Sequence, residues 1–318
     1  MKTVVITGVA GFLGSHLAEY FLYQGYKVFG IDNFLTSDHS NIEYLQKISS
    51  HFYFQEMDAS DDWTQFSEKI GNSVEFVFHF ASPASPRKYQ ALPFETISAN
   101  TQGLLKALSF ARAHGARVVF ASSSEVYGDP LQNPQKETYL GNVNTFGPRA
   151  CYDEAKRLGE TLIYEFNRHH GNKHGLVRIF NTYGPRMNCE DGRVIINFLT
   201  QAQRGENLTI FGDGSHTRSF CYVEDLIRGI VQYARSNIFE PVNLGNPQEI
   251  SIATLARQVQ ELHLEKSLQL DFKPLPQDDP QQRRPDITKA QELLQWSPQV
   301  GLKEGLLRMK SWLHEVRS

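Results

Sequence analysis

Cysteine is scarce in this sequence, and the three that occur show no ligand pattern. Cys151, Cys189 and Cys221 are odd in number, and none belongs to a CxxC pair or has a histidine at ligand spacing. We therefore expect free thiols in a reducing compartment, with no structural zinc and no other metal site.

Long apolar runs and an excess of one charge are also missing. No stretch approaches the roughly 20 apolar residues that span a bilayer. Lysine and arginine number 32 against 35 aspartates and glutamates, without a basic stripe. Nucleic-acid and membrane partners are thus disfavoured. The start, MKTVVITGVAGFLGSHL, resembles a signal peptide, but glycines interrupt its apolar core, so we expect a cytoplasmic protein.

The chain is nevertheless well supplied with apolar residues and glycines. Hydrophobic residues make up 40% of its 318 positions, enough for one large or two modest cores. The first motif is KTVVITG, a β-branched run typical of a buried parallel strand, followed directly by a helical pattern. This order predicts a strand, a turn and a helix at the N-terminus.

Three glycines punctuate that turn at Gly8, Gly11 and Gly14. Glycines so placed permit a tight turn, close approach of the backbone to a pyrophosphate, and close packing of helix on strand. A phosphate would lie over the helix N-terminus, where Phe12 and Leu13 are further predicted cofactor contacts. The turn therefore predicts a dinucleotide site.

An acidic residue follows where such a site needs one. The strand KVFGI ends in Asp32, whose carboxylate can accept hydrogen bonds from the adenosine ribose and would repel a 2′-phosphate, so NAD is favoured over NADP. Asn33, Phe34 and Thr36 follow in a loop predicted to line the adenosine.

The next strand, HFYFQEMD, ends in Asp58, which is placed to reach the adenine edge, and Ala59 is a further predicted contact. The alternative is that Asp32 and Asp58 only cap turns.

The fourth strand, VEFVFHFAS, ends in Ala81 and Ser82, which leave room for the second ribose. For His79, packing within the sheet is favoured over contact with the cofactor. A helix is predicted over residues 93–114, in which Asn100 is expected to bond the backbone of neighbouring strands and to help hold the cofactor site.

Strands that alternate with helices predict a doubly wound parallel Rossmann sheet, whose ligand lies beyond the carboxyl ends of the strands. The fifth strand, ARVVFASSS, carries Ala121, Ser123 and Ser124 to that edge, and Glu125 follows. A buried carboxylate there is costly unless it is paired or used. The alternative is a glutamate that caps a turn.

Tyr152 and Lys156 are four residues apart in GPRACYDEAKR, hence on one helix face. The lysine ammonium and an oxidised nicotinamide are expected to lower the tyrosine pKa from about 10, so that the phenolate acts as a base. Ser123 would hold the substrate oxygen and share the proton.

With these residues in place, the sequence resembles the extended short-chain dehydrogenase/reductase family and, within it, the UDP-glucuronate decarboxylase branch. The resemblance rests on HFASPASP, SSSEVYGDP, GPRACYDEAKR, RIFNTYGPRM, FGDGSHTRSF, VNLGNP and DDPQQRRPDI, which span nearly the whole chain. Residues 97–99 depart from it, reading Ile-Ser-Ala where close relatives commonly carry a lysine and a threonine.

The resemblance implies a reaction. NAD takes a hydride from sugar C4 while Tyr152 removes the hydroxyl proton, the 4-keto acid loses carbon dioxide, and return of the hydride gives UDP-xylose. Ser124 and Glu125 stand where this branch places additional catalytic groups, and Arg283 is implied as another. The resemblance also implies a homodimer that pairs the helices near residues 93–114 and 151–170.

The substrate should bind the C-terminal third. Asn181 and Thr182 follow the strand HGLVRIF at the same sheet edge. Guanidinium groups suit pyrophosphate and carboxylate, and four arginines are candidates for them: Arg193, Arg218, Arg283 and Arg284. Residues 1–180 are predicted to form the NAD domain, with 219–245 returning to it, and 181–218 and 246–318 to form a smaller α/β lobe.

Two other functions stay open. A nucleotide-sugar 4,6-dehydratase or 4-epimerase would share the motifs. A noncatalytic NAD-sensing regulator would share the fingerprint, but such proteins often lose the tyrosine or the lysine, and both are present here.

Overall fold

The β-branched and aromatic runs form one central parallel sheet. The computed structural model describes residues 1–71, 73–274 and 282–317. The strands of this sheet are β1 (Thr3–Thr7), β2 (Lys27–Asp32), β3 (Phe52–Glu56), β4 (Phe76–His79), β5 (Arg117–Ser123), β6 (Gly175–Ile179) and β11 (Val242–Leu244). Their order in the sheet is β11-β6-β5-β4-β1-β2-β3, and every pairing is parallel.

Helices cover both faces of the sheet. Successive residues of β1 face opposite sides, so Val4 and Ile6 join one core cluster and Val5 joins another. The predicted doubly wound Rossmann sheet is therefore confirmed. The helices are α1 (Phe12–Tyr23), α2 (Ser40–Ile48), α3 (Thr64–Ile70), α4 (Pro86–Ala91), α5 (Pro93–Ser98), α6 (Leu104–His114), α7 (Ala150–His170), α8 (Val194–Arg204), α9 (Val223–Arg235), α10 (Ile252–Leu262), α11 (Thr288–Leu294) and α12 (Leu302–Arg317).

The helix predicted over residues 93–114 is interrupted by a π-helical turn, Ala99–Gly103. His79 explains part of this geometry, because its Nε2 donates to the Ala99 carbonyl at 2.8 Å while Nδ1 lies 3.0 Å from the Thr7 hydroxyl. His79 thus packs within the sheet. The prediction for Asn100 was wrong, because its Nδ2 donates to the Ser82 hydroxyl and to its own helix, each at 2.8 Å.

The C-terminal part adds three short strand pairs. These strands are β7 (Thr182–Tyr183), β8 (Leu208–Phe211), β9 (Thr217–Ser219), β10 (Cys221–Tyr222), β12 (Glu249–Ser251) and β13 (Leu270–Lys273). Strand β8 pairs with β13 and β9 with β12 in the predicted smaller lobe, and β7 pairs with β10.

The lobe does not include all of residues 246–318. Helix α11 contacts α9 and β11, and the following Trp296 is buried and donates through Nε1 to the Asp225 carbonyl at 2.9 Å. Burial of this indole holds the segment on the central sheet. Among the helices that the structure describes, none is both long and apolar enough to span a membrane.

Gly229 tests this packing. A Cβ at Gly229 would lie 2.8 Å from Trp296 Nε1. Overpacking costs about 1–3 kcal/mol, which exceeds the gain of up to ~1 kcal/mol from alanine in a helix. We expect Gly229→Ala to lower the midpoint of thermal unfolding by several degrees.

The matched control is Gly301→Ala, because no atom lies within 4 Å of a Cβ at that position. Its unfolding midpoint should stay near that of the wild type. A Gly229→Ala protein as stable as the wild type would contradict the close packing of α9 against Trp296.

Candidate active site

A cavity of about 1150 Å³ runs along the carboxyl ends of the strands and into the smaller lobe. Its walls include residues of the glycine turn, the end of β5, the start of α7 and, from the lobe, Arg218 and Ile252. This is the ligand position expected for a doubly wound sheet. A volume of this size can hold more than one small ligand.

The glycine turn has the shape that a pyrophosphate requires. Gly8 has φ of +73°, and a Cβ there would lie 2.8 Å from the Phe80 carbonyl oxygen. A Cβ at Gly14 would lie 2.1 Å from the Gly8 carbonyl oxygen. Helix α1 begins without a side-chain cap, so its first N–H groups can bind an anion. Gly11, Phe12 and Leu13 also line the cavity.

Asp32 is fixed at the cavity wall by three donors. Oδ2 accepts from the Ala10 N–H at 3.0 Å, and Oδ1 accepts from the Phe34 N–H at 2.9 Å and the Ser37 hydroxyl at 3.1 Å. Burial nevertheless raises the pKa of Asp32. Its carboxylate is thus oriented before any ribose arrives, and these residues fit NAD.

The other predicted adenosine contacts divide into two groups. Asn33, Thr36 and Asp58 line the cavity, and Asn33 Nδ2 donates to Asp58 Oδ2 at 2.6 Å. Phe34 does not line it. Its φ of 55° turns the ring onto His39 and Phe54, so only its N–H serves the site.

The remaining predicted cofactor contacts lie on the cavity wall with one exception. Asn100 is buried behind the wall and acts there only through Ser82. The residues on the wall are Ala59, Ala81, Ser82, Ala121, Tyr152, Lys156 and Thr182, together with Asn181, Ser123 and Ser124.

Tyr152 and Lys156 both reach the cavity from α7. Lys156 Nζ donates to the Ala121 carbonyl at 2.6 Å and lies 5.5 Å from the centre of the Tyr152 ring. Burial raises the pKa of Tyr152 to about 12, against the opposing hydrogen bond from Ser123. Burial also lowers the pKa of Lys156 to about 7. Desolvation dominates the pKa of Tyr152 in this structure, and its expected lowering by Lys156 together with an oxidised nicotinamide stays a prediction.

Glu125 lies between two guanidinium groups. Its Oε2 accepts from Arg149 and its Oε1 from Arg283, and all three side chains are largely buried. Burial alone would raise the pKa of Glu125, but Arg283 and Arg149 hold it well below its usual range. Glu125 is therefore a carboxylate at neutral pH. The alternative, a glutamate that only caps a turn, does not account for its two ion pairs.

Two members of this cluster, Arg149 and Asp153, are not among the residues predicted from the sequence. Arg149 is part of GPRACYDEAKR, and its spacing of three from Tyr152 on a helix start was the available signal. Asp153 lies 4.0 Å from Arg149, and burial together with the charge of Glu125 raises its pKa. The cluster therefore contains a second carboxyl group that is easier to protonate than Glu125.

The arginines predicted to bind substrate anions have different surroundings. Arg193 lines the cavity but pairs with Asp191, with Nη2 to Oδ2 at 2.8 Å. Arg218 lines it and donates to the Thr217 carbonyl at 2.8 Å. Arg283 also lines it, but is held by Glu125 and, at 3.4 Å, the Gly128 carbonyl.

Arg284 does not lie on the cavity, contrary to its prediction as a substrate contact. Its side chain is directed away from the cavity and faces Glu249 at 3.8 Å, since alternate residues of this extended segment point to opposite sides. Residues 278–281 of the DDPQQRRPDI motif lie outside the described residues. In the part of the chain that the structure describes, no three His, Cys, Asp or Glu side chains form a metal site.

Comparison with known proteins gives consistent results. Residues 4–245 match the NAD dependent epimerase/dehydratase family. UDP-glucuronic acid decarboxylase 1 of Xenopus tropicalis is 46% identical over 305 residues, covering 96% of this chain and 70% of the relative. The enzyme of the same name from Arabidopsis thaliana is 46% identical over 308 residues, covering 97% and 69%.

Solved structures share the whole fold. UDP-glucose 4-epimerase of Thermotoga maritima has a TM-score of 0.91 at 27% identity, covering 99% of this chain and 100% of that chain. UDP-glucuronic acid 4-epimerase of Bacillus cereus, in complex with UDP-glucuronic acid and NAD, has a TM-score of 0.87 at 28% identity, covering 99% of each.

Asp32 allows a direct test of the nucleotide site. Asp32→Asn removes the charge and one acceptor oxygen while keeping the shape. Because a hydrogen bond to a charged group contributes about 1.5–3 kcal/mol, we expect NAD to bind roughly 10- to 100-fold more weakly, with less discrimination against NADP. Calorimetric titration of both nucleotides measures this.

Asp62→Asn is the control, because Asp62 is exposed, caps the start of α3 and does not line the cavity. Unchanged NAD affinity in Asp32→Asn would remove Asp32 from the ribose site.

Proposed function

This chain belongs to the NAD dependent epimerase/dehydratase family, and on that premise we propose that it converts UDP-glucuronate to UDP-xylose and carbon dioxide. The observation that carries the proposal is the buried cluster of Glu125, Arg149 and Arg283 on the cavity that holds Tyr152. The similarity to UDP-glucuronic acid decarboxylases over nearly the whole chain supports it.

NAD, held by the glycine turn and Asp32, would supply the acceptor for the hydride of sugar C4 and the donor that later restores it. Tyr152 takes the proton of the C4 hydroxyl. Burial of the Tyr152 phenol opposes its ionisation. The hydrogen bond from Ser123 and the positive charge of Lys156 act in the opposite direction and favour the phenolate.

Oxidation at C4 makes the substrate a β-keto acid. The C5–C6 bond then breaks and carbon dioxide leaves. The electron pair of that bond stays on the sugar and forms an enolate with the C4 ketone. C5 afterwards gains a proton. The described cluster suits this step because, when Asp153 is protonated, its two guanidinium groups and one ionised glutamate leave net positive charge for the substrate carboxylate.

The ionised state of Glu125 limits what it can do. Because its pKa is held low by Arg149 and Arg283, it is not the donor of the C5 proton at neutral pH. We assign it instead the task of orienting both guanidinium groups and accepting hydrogen bonds in the site.

A UDP-sugar 4-epimerase is the second candidate, favoured by the fold shared with two 4-epimerases. Incubation of the protein with UDP-glucuronate and NAD separates the two. We expect carbon dioxide and a UDP-pentose in equal amounts. Recovery of only the C4 epimer of UDP-glucuronate, with no gas released, would refute the decarboxylase.

Glu125→Gln tests the cluster. The amide keeps the size of the side chain but removes the counter-charge that Arg149 and Arg283 share, and Arg149 then faces only Asp153 at 4.0 Å among the acidic groups of the cluster. Loss of one preorganised electrostatic group commonly costs about 100-fold or more in kcat, and we expect that loss in carbon dioxide release. Formation of NADH in a single turnover should fall much less.

Glu154→Gln on α7 is the control, because Glu154 pairs only loosely with Arg157 at the surface. An equal loss of oxidation and decarboxylation in Glu125→Gln would assign Glu125 to binding or structure.

We further propose that two copies of the chain associate. Large apolar side chains are exposed on α5 and α7, including Phe94 at 81% and Tyr164 at 66%, and such patches mark interfaces. Light scattering at micromolar concentration should give a dimer mass that Phe94→Glu halves and Phe146→Glu, on a separate loop, does not. A monomeric wild type would overturn this.

A further inference from the structure

The ion pair of Glu125 and Arg283 joins two segments with little regular structure of their own. Glu125 lies in the 3₁₀ turn Ser124–Tyr127, and Arg283 lies 158 residues later, shortly before α11. Their side chains are only 14% and 5% exposed. A buried ion pair is favourable only when its geometry is fixed, so other groups must hold the two segments together.

Asn243 is such a group. It lies in the edge strand β11 and is fully buried, which is costly for a carboxamide without partners. Its Oδ1 accepts from the Tyr127 hydroxyl at 2.8 Å. Its Nδ2 donates to the Gln135 carbonyl at 3.0 Å and to the Asp286 carbonyl at 3.1 Å. One side chain therefore contacts the segments of both ion-pair partners.

Gln135 strengthens the contact on the arginine side. Its N–H donates to the Arg284 carbonyl at 2.9 Å, and its Oε1 accepts from the Arg284 N–H at 2.8 Å. The Asp286 N–H donates to the Gln135 carbonyl at 2.9 Å. The backbone on the C-terminal side of Arg283 is thus held at three points.

Tyr127 strengthens the contact on the glutamate side. Its hydroxyl accepts from Arg178 Nη1 at 2.9 Å, and Arg178 pairs with Glu160 at 2.7 Å. Glu160 lies on α7, one helical turn after Lys156. The same network therefore connects the turn of Glu125 to the helix that carries the tyrosine and lysine pair.

We infer that Asn243 is a positioning residue for the Glu125–Arg283 ion pair, acting through Tyr127 on one side and the Asp286 backbone on the other. The importance of this positioning role for decarboxylation rests on the proposed function. The geometry of the ion pair itself does not, because the contacts exist whatever the substrate.

Asn243→Asp is the first test. The two side chains have the same shape, but the second oxygen cannot donate to the Gln135 and Asp286 carbonyls. Since a displacement near 1 Å can cost about 100-fold in rate, we expect kcat for carbon dioxide release to fall by roughly 10- to 100-fold, with NAD affinity unchanged. Asn246→Asp is the control, because Asn246 uses Oδ1 to accept from the Gln248 N–H, a bond that aspartate keeps.

Tyr127→Phe is the second variant, in case Asn243→Asp does not fold. It removes only the hydroxyl and leaves the ring against Phe180. We expect the same loss of kcat. Tyr139→Phe is the control, since Tyr139 stacks on Tyr127 but its hydroxyl serves only the surface loop at Leu131.

A titration of the Glu125 carboxyl by carbon NMR, assigned through Glu125→Gln, provides a readout apart from activity. Among the described residues, Arg149, Arg283 and Asp153 are the charged groups that face Glu125, and Tyr89 and Tyr152 are further titratable groups beside it. Weaker contact with Arg283 should raise the pKa of Glu125 in Asn243→Asp and Tyr127→Phe, and in neither control.

The outcomes separate the two proposals. A wild type that releases no carbon dioxide refutes the decarboxylase, and the titration still decides the role of Asn243. Folded variants with an unmoved Glu125 pKa overturn the positioning role, even where activity falls together with thermal stability. A raised Glu125 pKa together with lower kcat supports it.

Discussion

The rest of this site depends on one carboxylate that is held between two guanidinium groups and shielded from water. Removing the carboxylate from such a cluster takes away the counter-charge that both buried guanidinium groups share, which is strongly destabilising. Glu125, Arg149 and Arg283 come from the turn after β5, the start of α7 and the segment before α11. These three segments are distant in sequence, so their ends must be held in fixed positions relative to one another. The buried polar network around Asn243 provides that constraint.

Much of the architecture followed from local pattern. The parallel strands were visible because strands covered on both faces have near-continuous apolar runs, and the glycine turn because each of its glycines has a steric task. Gly8 and Gly14 meet those tasks, with backbone oxygens where a side chain would otherwise stand. The resemblance to the extended short-chain dehydrogenase/reductase family, its decarboxylase branch and its use of NAD are confirmed by the comparisons.

The departures have physical causes that one sequence does not display. Phe34 leaves the cofactor wall through a left-handed backbone angle, and the direction of Arg284 depends on the register of an irregular segment. The pKa of Tyr152 depends on the balance between desolvation and nearby charge, which only coordinates provide. In the sequence, Asn243 stands out only as part of the motif VNLGNP. Its positioning role could not be predicted, because its three hydrogen-bond partners lie far from it in sequence.

The separation of 158 residues between Glu125 and Arg283 has a consequence for synthesis. A chain leaves the ribosome from its N-terminus, so the sheet through β6 can assemble while Arg283 is still untranslated. During that interval Glu125 has at most one of its two guanidinium partners, and its surroundings must stay hydrated. The Glu125–Arg283 ion pair therefore forms late, and a nascent chain can form its dinucleotide pocket before this ion pair is complete.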